Sequence, residues 1–183
     1  MDIQRVIFLD IDGVVNSFAW LSCPGPPRGL PRARIAERVR QRARYCHLPR
    51  AELEYELERL DPRALKRVAR LAQQTQSHIV ISSSWRTVID FRGLEEIFIG
   101  LTSWPRGLIR DQTPIFNTLF ERGREISAWL AEHPCDNYVI LDDLPPQAFP
   151  GHKQRLVQTD MTYGLEERHC RQARLLLDQA TTE

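Results

Sequence analysis

The sequence predicts an α/β fold, a three-layer α/β/α arrangement on a parallel sheet, with a small, mainly helical cap inserted after the first strand. Three observations predict it. Short β-forming runs alternate with stretches of helical periodicity. The strongest runs are apolar along their whole length, as strands buried on both faces must be. And each run ends in a polar cluster, which in a parallel sheet gathers on one edge.

In chain order, Val6–Leu9 is the first strand, and Gly13 supplies a sharp turn after it. Residues 17–60 do not fit the alternation. They open on a Pro/Gly cluster (Cys23, Pro24, Gly25, Pro26, Pro27) and continue into an arginine-rich, helical piece. An excursion that long inside a compact domain reads as a functional lid. Asp61 is a helix N-cap with Pro62 at the first helical position, followed by Leu65, Val68, Ala69 and Ala72 at helical spacing. His78–Ile81 is the second strand. Residues 87–119, with Trp104-Pro105 and Thr113-Pro114, read as a second irregular segment. A helix from about Arg124 carries Ile126, Trp129 and Leu130 inward and stops before Pro134. Residues 138–141 form a strand, 155–158 a weaker one, and 165–179 the last helix. The 183 residues suit one domain, 1–183, with 17–60 as the insertion.

Bulk composition excludes little. A formal net charge of +1 gives no global argument for nucleic acid or membrane. Locally, Arg28, Arg32, Arg34, Arg38, Arg40, Arg42, Arg44 and Arg50 stand against Glu37 alone, which is either a solvated face or a surface for a polyanion. Trp20 and Trp104 are candidate platforms for a base, whereas Trp85 and Trp129 read as core anchors. Cys23, Cys46, Cys135 and Cys170 have neither disulfide-framework nor zinc spacing and read as incidental reduced thiols. With no apolar run of membrane-spanning length and no signal-peptide pattern at the start, the expectation is a cytoplasmic protein without a membrane partner. Oligomeric state is not legible.

The polar clusters carry the chemistry. Asp10 and Asp12 end the first strand, Ser82, Ser83, Ser84, Trp85 and Arg86 follow the second, and Asp142 and Asp143 follow the run at 138–141. A buried strand ends in charge only where charge has a task, because an unpaired carboxylate in low dielectric is costly. Four carboxylates with hydroxyls and a guanidinium describe a Mg²⁺ and phosphate site: oxygens satisfy a hard cation, and N–H and O–H donors hold a phosphoryl group. Asp10 is placed to attack phosphorus, and Asp12 to protonate the leaving oxygen and later deprotonate water.

These residues, in this order, resemble the haloacid dehalogenase (HAD) superfamily of phosphohydrolases, from the first strand to about Gly164. The resemblance implies a Rossmann-like core. Asp10-x-Asp12-Gly13-Val14-Val15 is similar to the first motif, which supplies nucleophile and acid/base. Ser82 matches the second-motif hydroxyl that bonds the phosphoryl group, with Ser83 one register away. Asp142-Asp143 is similar to the fourth motif, which completes a Mg²⁺ site together with Asp10 and Asp12. Gly13, Ser83, Arg86 and Arg124 are the accompanying phosphate-binding candidates. The family's third motif is usually a lysine. Here the corresponding helix carries Arg122 and Arg124 instead, so Arg122 is the first candidate, with Arg124 and Lys153 as alternatives. More narrowly, LDIDGVVN, ISSSWR, RGREI-x-x-WL and YVILDD look like the HAD-type domain found with RNA-repair proteins.

The expectation is therefore a Mg²⁺-dependent phosphomonoester hydrolase working through an aspartyl-phosphate on Asp10, with phosphorylated RNA or DNA ends as candidate substrates. Two alternatives stand beside it: a phosphatase of nucleotides or sugar phosphates, and a non-catalytic nucleic-acid-binding accessory module. Dehalogenation fits poorly, since halide release requires no protonation by Asp12.

Overall fold

A computed structural model describes residues 5–23, 32–45, 47–116, 121–135 and 137–179. Five strands, β1 (Val6–Leu9), β2 (His78–Ile81), β3 (Ile109–Gln112), β4 (Tyr138–Asp142) and β5 (Leu156–Gln158), form one parallel sheet in the order β3-β2-β1-β4-β5. The helices are α1 (Phe18–Leu21), α2 (Arg32–Arg40), α3 (Arg50–Arg59), α4 (Pro62–Thr75), α5 (Phe91–Thr102), α6 (Arg122–Glu132) and α7 (Glu167–Gln179). This is a three-layer α/β Rossmann-like fold.

Alternation along the strands builds the layers. Ile7, Leu9, Ile79, Ile81, Val139 and Leu141 face one apolar cluster with Leu65, Val68, Phe98 and Leu177. Val6, Phe8, Val80 and Ile140 face the other, with Ile126 and Trp129 of α6 and with Phe149. Trp129 is a core anchor: its ring meets Phe8 edge-on at 5.4 Å. The N-terminus of α4 is capped by Asp61, whose carboxylate accepts from the Arg63 N–H at 2.8 Å.

The segment 87–119 departs from the sequence expectation. It contains α5, capped by the Asp90 carboxylate through the Gly93 N–H at 3.0 Å, and the strand β3. Gly93 and Gly100 mask the helix in the sequence because glycine weakens helices by roughly 1 kcal/mol each. Packing explains them. A Cβ on Gly93 would lie 2.5 Å from Ile89, and one on Gly100 2.6 Å from Ile35 of α2. β3 is an edge strand with a single buried apolar residue, Ile109, and so lacks the apolar run by which the other strands are recognised.

The helices of the predicted insertion sit directly on the domain. Ile35, Ala36, Val39, Leu53 and Leu57 belong to the same apolar cluster as the sheet's face. Part of the arginine run holds them there. Arg42 reaches Glu96 at 3.0 Å, Arg44 reaches Asp90 at 2.8 Å, and the Arg40 Nε–H donates to the Leu48 carbonyl at 2.9 Å. Arg50 pairs with Glu54 in α3. Arg28 lies outside the described residues. Cys23, Cys135 and Cys170 form no disulfide, and among the described residues no helix is long and apolar enough to cross a membrane.

Candidate active site

Strand register places the site. Leu9 pairs with Ile81 on one side and Leu141 on the other, so Asp10, Ser82 and Asp142 come next, abreast. The ladder extends through them: the Asp10 N–H donates to the Leu141 carbonyl at 3.0 Å and the Ser82 N–H to the Leu9 carbonyl at 2.9 Å. β2 and β3 lie to one side of β1, β4 and β5 to the other, so this edge is the topological switch point where open α/β sheets bind ligands.

After Asp10 the chain turns back, with the N–H groups of Val14, Val15 and Asn16 all directed at the Ile11 carbonyl. Gly13 holds φ +67, and a Cβ there would lie 2.6 Å from the side chain of Asp143. Its contribution is therefore conformational, making room for the fourth-motif carboxylate.

Asp10, Asp142 and Asp143 each offer a carboxylate oxygen within 4.8 Å of the others. Burial raises the Asp10 carboxyl above the usual range despite Arg122 and a hydrogen bond from Ser83. Asp142, fully buried, is pushed up to about 8 by burial and by Asp10, and Asp143 to about 6 by the same two causes. One Asp142 oxygen accepts from the Leu144 N–H at 3.0 Å, while the other, Oδ2, has no hydrogen-bond partner. Three carboxylates face a single guanidinium, Arg122, whose Nη1 lies 3.3 Å from Asp10 and 3.6 Å from Asp142. Burial works against the Arg122 charge, but Asp10, Asp142 and Glu125 together raise its pKa. The excess negative charge, the orphaned oxygen and the all-oxygen donor set fit a hard divalent cation such as Mg²⁺.

This crowding has a pH signature. In cation-free protein these carboxylates hold protons at pH values where the unfolded chain, with an Asp pKa near 4, has lost them. Stability therefore falls as pH rises from about 4 through 8. With EDTA, Tm should drop by several degrees between pH 5 and 8.5, at ~2–4 °C per kcal/mol for a chain of this size. Mg²⁺ should restore more at pH 8.5 than at pH 5. An equal Mg²⁺ increment at both values, in calorimetric scans, would count against the cation site.

The remaining sequence candidates divide. The Asp12 carboxylate, expected among the metal ligands, lies outside the group of three. It accepts from Asn16 Nδ2 at 2.7 Å and Trp85 Nε1 at 3.1 Å, and Arg59 Nη2 stands 3.5 Å away. Ser82 is fully buried, and its hydroxyl has no partner. Ser83 donates to Asp10 and accepts from the Trp85 N–H at 3.4 Å. Arg86, expected on phosphate, is buried with its donors committed to the carbonyls of Ser83, Thr113 and Pro114 and to the Glu125 carboxylate. It braces the turn after β2 against α6. Arg124 is 68 % exposed and pairs with Glu121, and Lys153 is also exposed.

Sequence reasoning missed four residues. Glu125 accepts from Arg86, takes the Phe116 N–H at 2.9 Å and stands 3.8 Å from Arg122 Nε, so it orients both arginines. Its signal was the i, i+3 spacing from Arg122. Asn16, Trp85 and Arg59 hold Asp12. Trp20 and Trp104, candidate platforms in the sequence, are core residues, 7 % and 3 % exposed. The Trp20 indole N–H donates to the Glu58 carbonyl at 2.9 Å, and Trp104 packs on Phe98.

A family model described as the HAD domain in Swiss Army Knife RNA repair proteins matches residues 6–170. No curated protein and no solved structure matches the chain.

Proposed function

The chain belongs to the HAD domains of Swiss Army Knife RNA repair proteins and is a HAD-type phosphohydrolase, and from that premise we propose Mg²⁺-dependent phosphomonoester hydrolysis through an aspartyl-phosphate on Asp10. The observation that carries the proposal is the row formed by Asp10, Ser82 and Asp142, with Arg122 3.3 Å from Asp10. Asp10, Asp142 and Asp143 would hold the cation, which supplies charge neutralisation at the phosphoryl oxygens when bound. An Asp10 carboxylate oxygen forms the bond to phosphorus as the bond from phosphorus to the leaving oxygen breaks, and Asp12 gives that oxygen a proton. Asp12 then takes a proton from water. The water oxygen attacks phosphorus, releasing inorganic phosphate and regenerating the Asp10 carboxylate. Arg122 lies against the nucleophile, Ser82 stands beside it in the row, and the Ser83 hydroxyl donates to it.

Arg122 takes the part of the third-motif lysine in this reading. Arg122→Ala should lower kcat/KM by about 10²–10³-fold, as removal of a preorganised donor does. Arg122→Lys should recover part of that loss, and Arg124→Ala should leave kcat/KM within about twofold of wild type, on the same scale. A larger loss in Arg124→Ala than in Arg122→Ala would reverse the assignment.

For substrate, the family description supports a phosphorylated nucleic-acid end. The pairing of Arg42, Arg44 and Arg50 within the chain favours a second reading, a small-molecule phosphatase, because those guanidinium groups already have carboxylate partners. A panel of 3′- and 5′-phosphorylated oligonucleotides, mononucleotides and sugar phosphates, with and without Mg²⁺, tests both. If nucleic acid is the substrate, kcat/KM on oligonucleotides falls more steeply with salt than on mononucleotides. Equal slopes and no oligonucleotide preference support the small-molecule reading. No Mg²⁺-dependent turnover of any substrate leaves a binding module.

A further inference from the structure

A cavity of about 700 Å³ opens beside Asp12, between α3 and the turn that follows β2. Its size is that of ordinary small-ligand sites. α3 has two working faces. Leu57 enters the core, Leu53 belongs to both the core and the cavity wall, and Glu52, Tyr55, Glu56 and Arg59, at helical spacing, line the cavity beside it. Trp85 and Val88 form the opposite wall. Tyr55 is 64 % and Val88 58 % exposed, so the cavity presents apolar and aromatic surface that the fold leaves uncovered.

Charge narrows the occupant. The cavity's carboxylates are Asp12, Glu52 and Glu56, and its one guanidinium, Arg59, is already held by Glu56 at 2.9 Å and by Asp12 at 3.5 Å. None of the described arginines of the run from Arg32 to Arg50 lines it. Such walls disfavour a further phosphate. They suit a neutral aromatic ring whose edge carries N–H donors, since carboxylates accept from exocyclic amino groups and aromatic side chains stack on bases. Asp12 lines the cavity and stands at the reaction site, so the cavity opens where a leaving group protonated by Asp12 would extend.

We propose that this cavity seats the leaving group and takes a nucleobase, preferring the amino-bearing bases over uracil. The inference rests on the phosphohydrolase reading and names the substrate class for the same site. Trp85 ties the two together, because its indole N–H holds Asp12 while its ring lines the cavity.

The test compares nucleoside 5′-monophosphates with ribose 5-phosphate, which lacks their base, and nucleoside 5′- and 3′-monophosphates with short oligonucleotides bearing the same terminal phosphates. Stacking worth about 1–3 kcal/mol corresponds to a kcat/KM advantage of roughly 5–150-fold for the nucleotides over ribose 5-phosphate. Tyr55→Ala should reduce that ratio about tenfold, and Glu52→Gln should narrow the gap between cytidine and uridine nucleotides. Oligonucleotides matching or exceeding mononucleotides would identify the base as that of a strand end, and the reverse order would identify a free nucleotide. A wild-type ratio near one, or a ratio unmoved by Tyr55→Ala, overturns the proposal. If no phosphoester is turned over, the phosphohydrolase reading fails separately, and calorimetric titration with cytidine and uridine still decides the cavity. Binding of cytidine that Tyr55→Ala weakens supports the base seat, and no binding at millimolar concentration removes it.

Discussion

Asp10→Asn should remove turnover by roughly 10⁴-fold or more while raising the thermal stability of the cation-free protein. Loss of a residue that forms the covalent bond costs about that much or more, because a carboxamide cannot replace the carboxylate as nucleophile. The gain in stability comes from electrostatics. Asp10, Asp142 and Asp143 crowd within 4.8 Å against one arginine, and replacing one carboxylate by a neutral isostere relieves that repulsion. The gain should grow as pH rises and be largest above about 8, where Asp142, held at a raised pKa of about 8 by burial and Asp10, has lost its proton. Two measurements check this, a Tm comparison in EDTA and a phosphate-release assay in Mg²⁺. Substantial residual activity with retained Mg²⁺ dependence would sink the covalent mechanism. A lower Tm would mean that the ion pair between Asp10 and Arg122 outweighs the repulsion.

How much of this was legible depended on whether a residue's role was set by its neighbours in sequence or across the fold. The row formed by Asp10, Ser82 and Asp142 was legible because parallel pairing aligns strand ends, and each strand announced itself by an apolar run. α4 was legible from Asp61 and Pro62, both local signals. β3 was not, since an edge strand with only Ile109 buried has no periodicity to read. α5 was hidden by Gly93 and Gly100, whose reason lies across the chain at Ile89, Tyr45 and Ile35. Arg86 and Trp85, adjacent in sequence, show the limit most clearly. A cation beside serines at a strand end reads as a phosphate ligand, and a tryptophan there reads as core. Tertiary contacts invert the first and add to the second: Glu125 and three carbonyls engage Arg86, while Trp85 packs against the core and also holds Asp12 and walls the cavity. The arginine run likewise read as a solvated face or a surface for a polyanion, and only the positions of Glu96 and Asp90 show Arg42 and Arg44 fastening the turn after α2 to α5 and its cap.

Asp12→Asn should separate the acid/base role from its surroundings through the leaving group. General acid catalysis contributes about 10²–10⁴-fold, and it matters in proportion to the basicity of the departing oxygen. The variant should therefore lose most of that factor on an alkyl phosphate such as ribose 5-phosphate, and far less on p-nitrophenyl phosphate, whose leaving group departs without a proton. The ratio is the informative quantity because the substitution also disturbs the turn. Both Asp12 oxygens accept, from Asn16 at 2.7 Å and from Trp85 at 3.1 Å, with Arg59 3.5 Å away, so an amide nitrogen in either place faces a donor. That misfit lowers activity on every substrate alike and cancels in the comparison. Asp142→Asn provides the contrast, since it should weaken Mg²⁺ affinity and be relieved by excess Mg²⁺ on both substrates equally. Equal losses on alkyl and aryl phosphates in Asp12→Asn, or relief of those losses by Mg²⁺, would move Asp12 from proton transfer to cation binding. It would also require its carboxylate to leave Trp85 and turn towards Asp10.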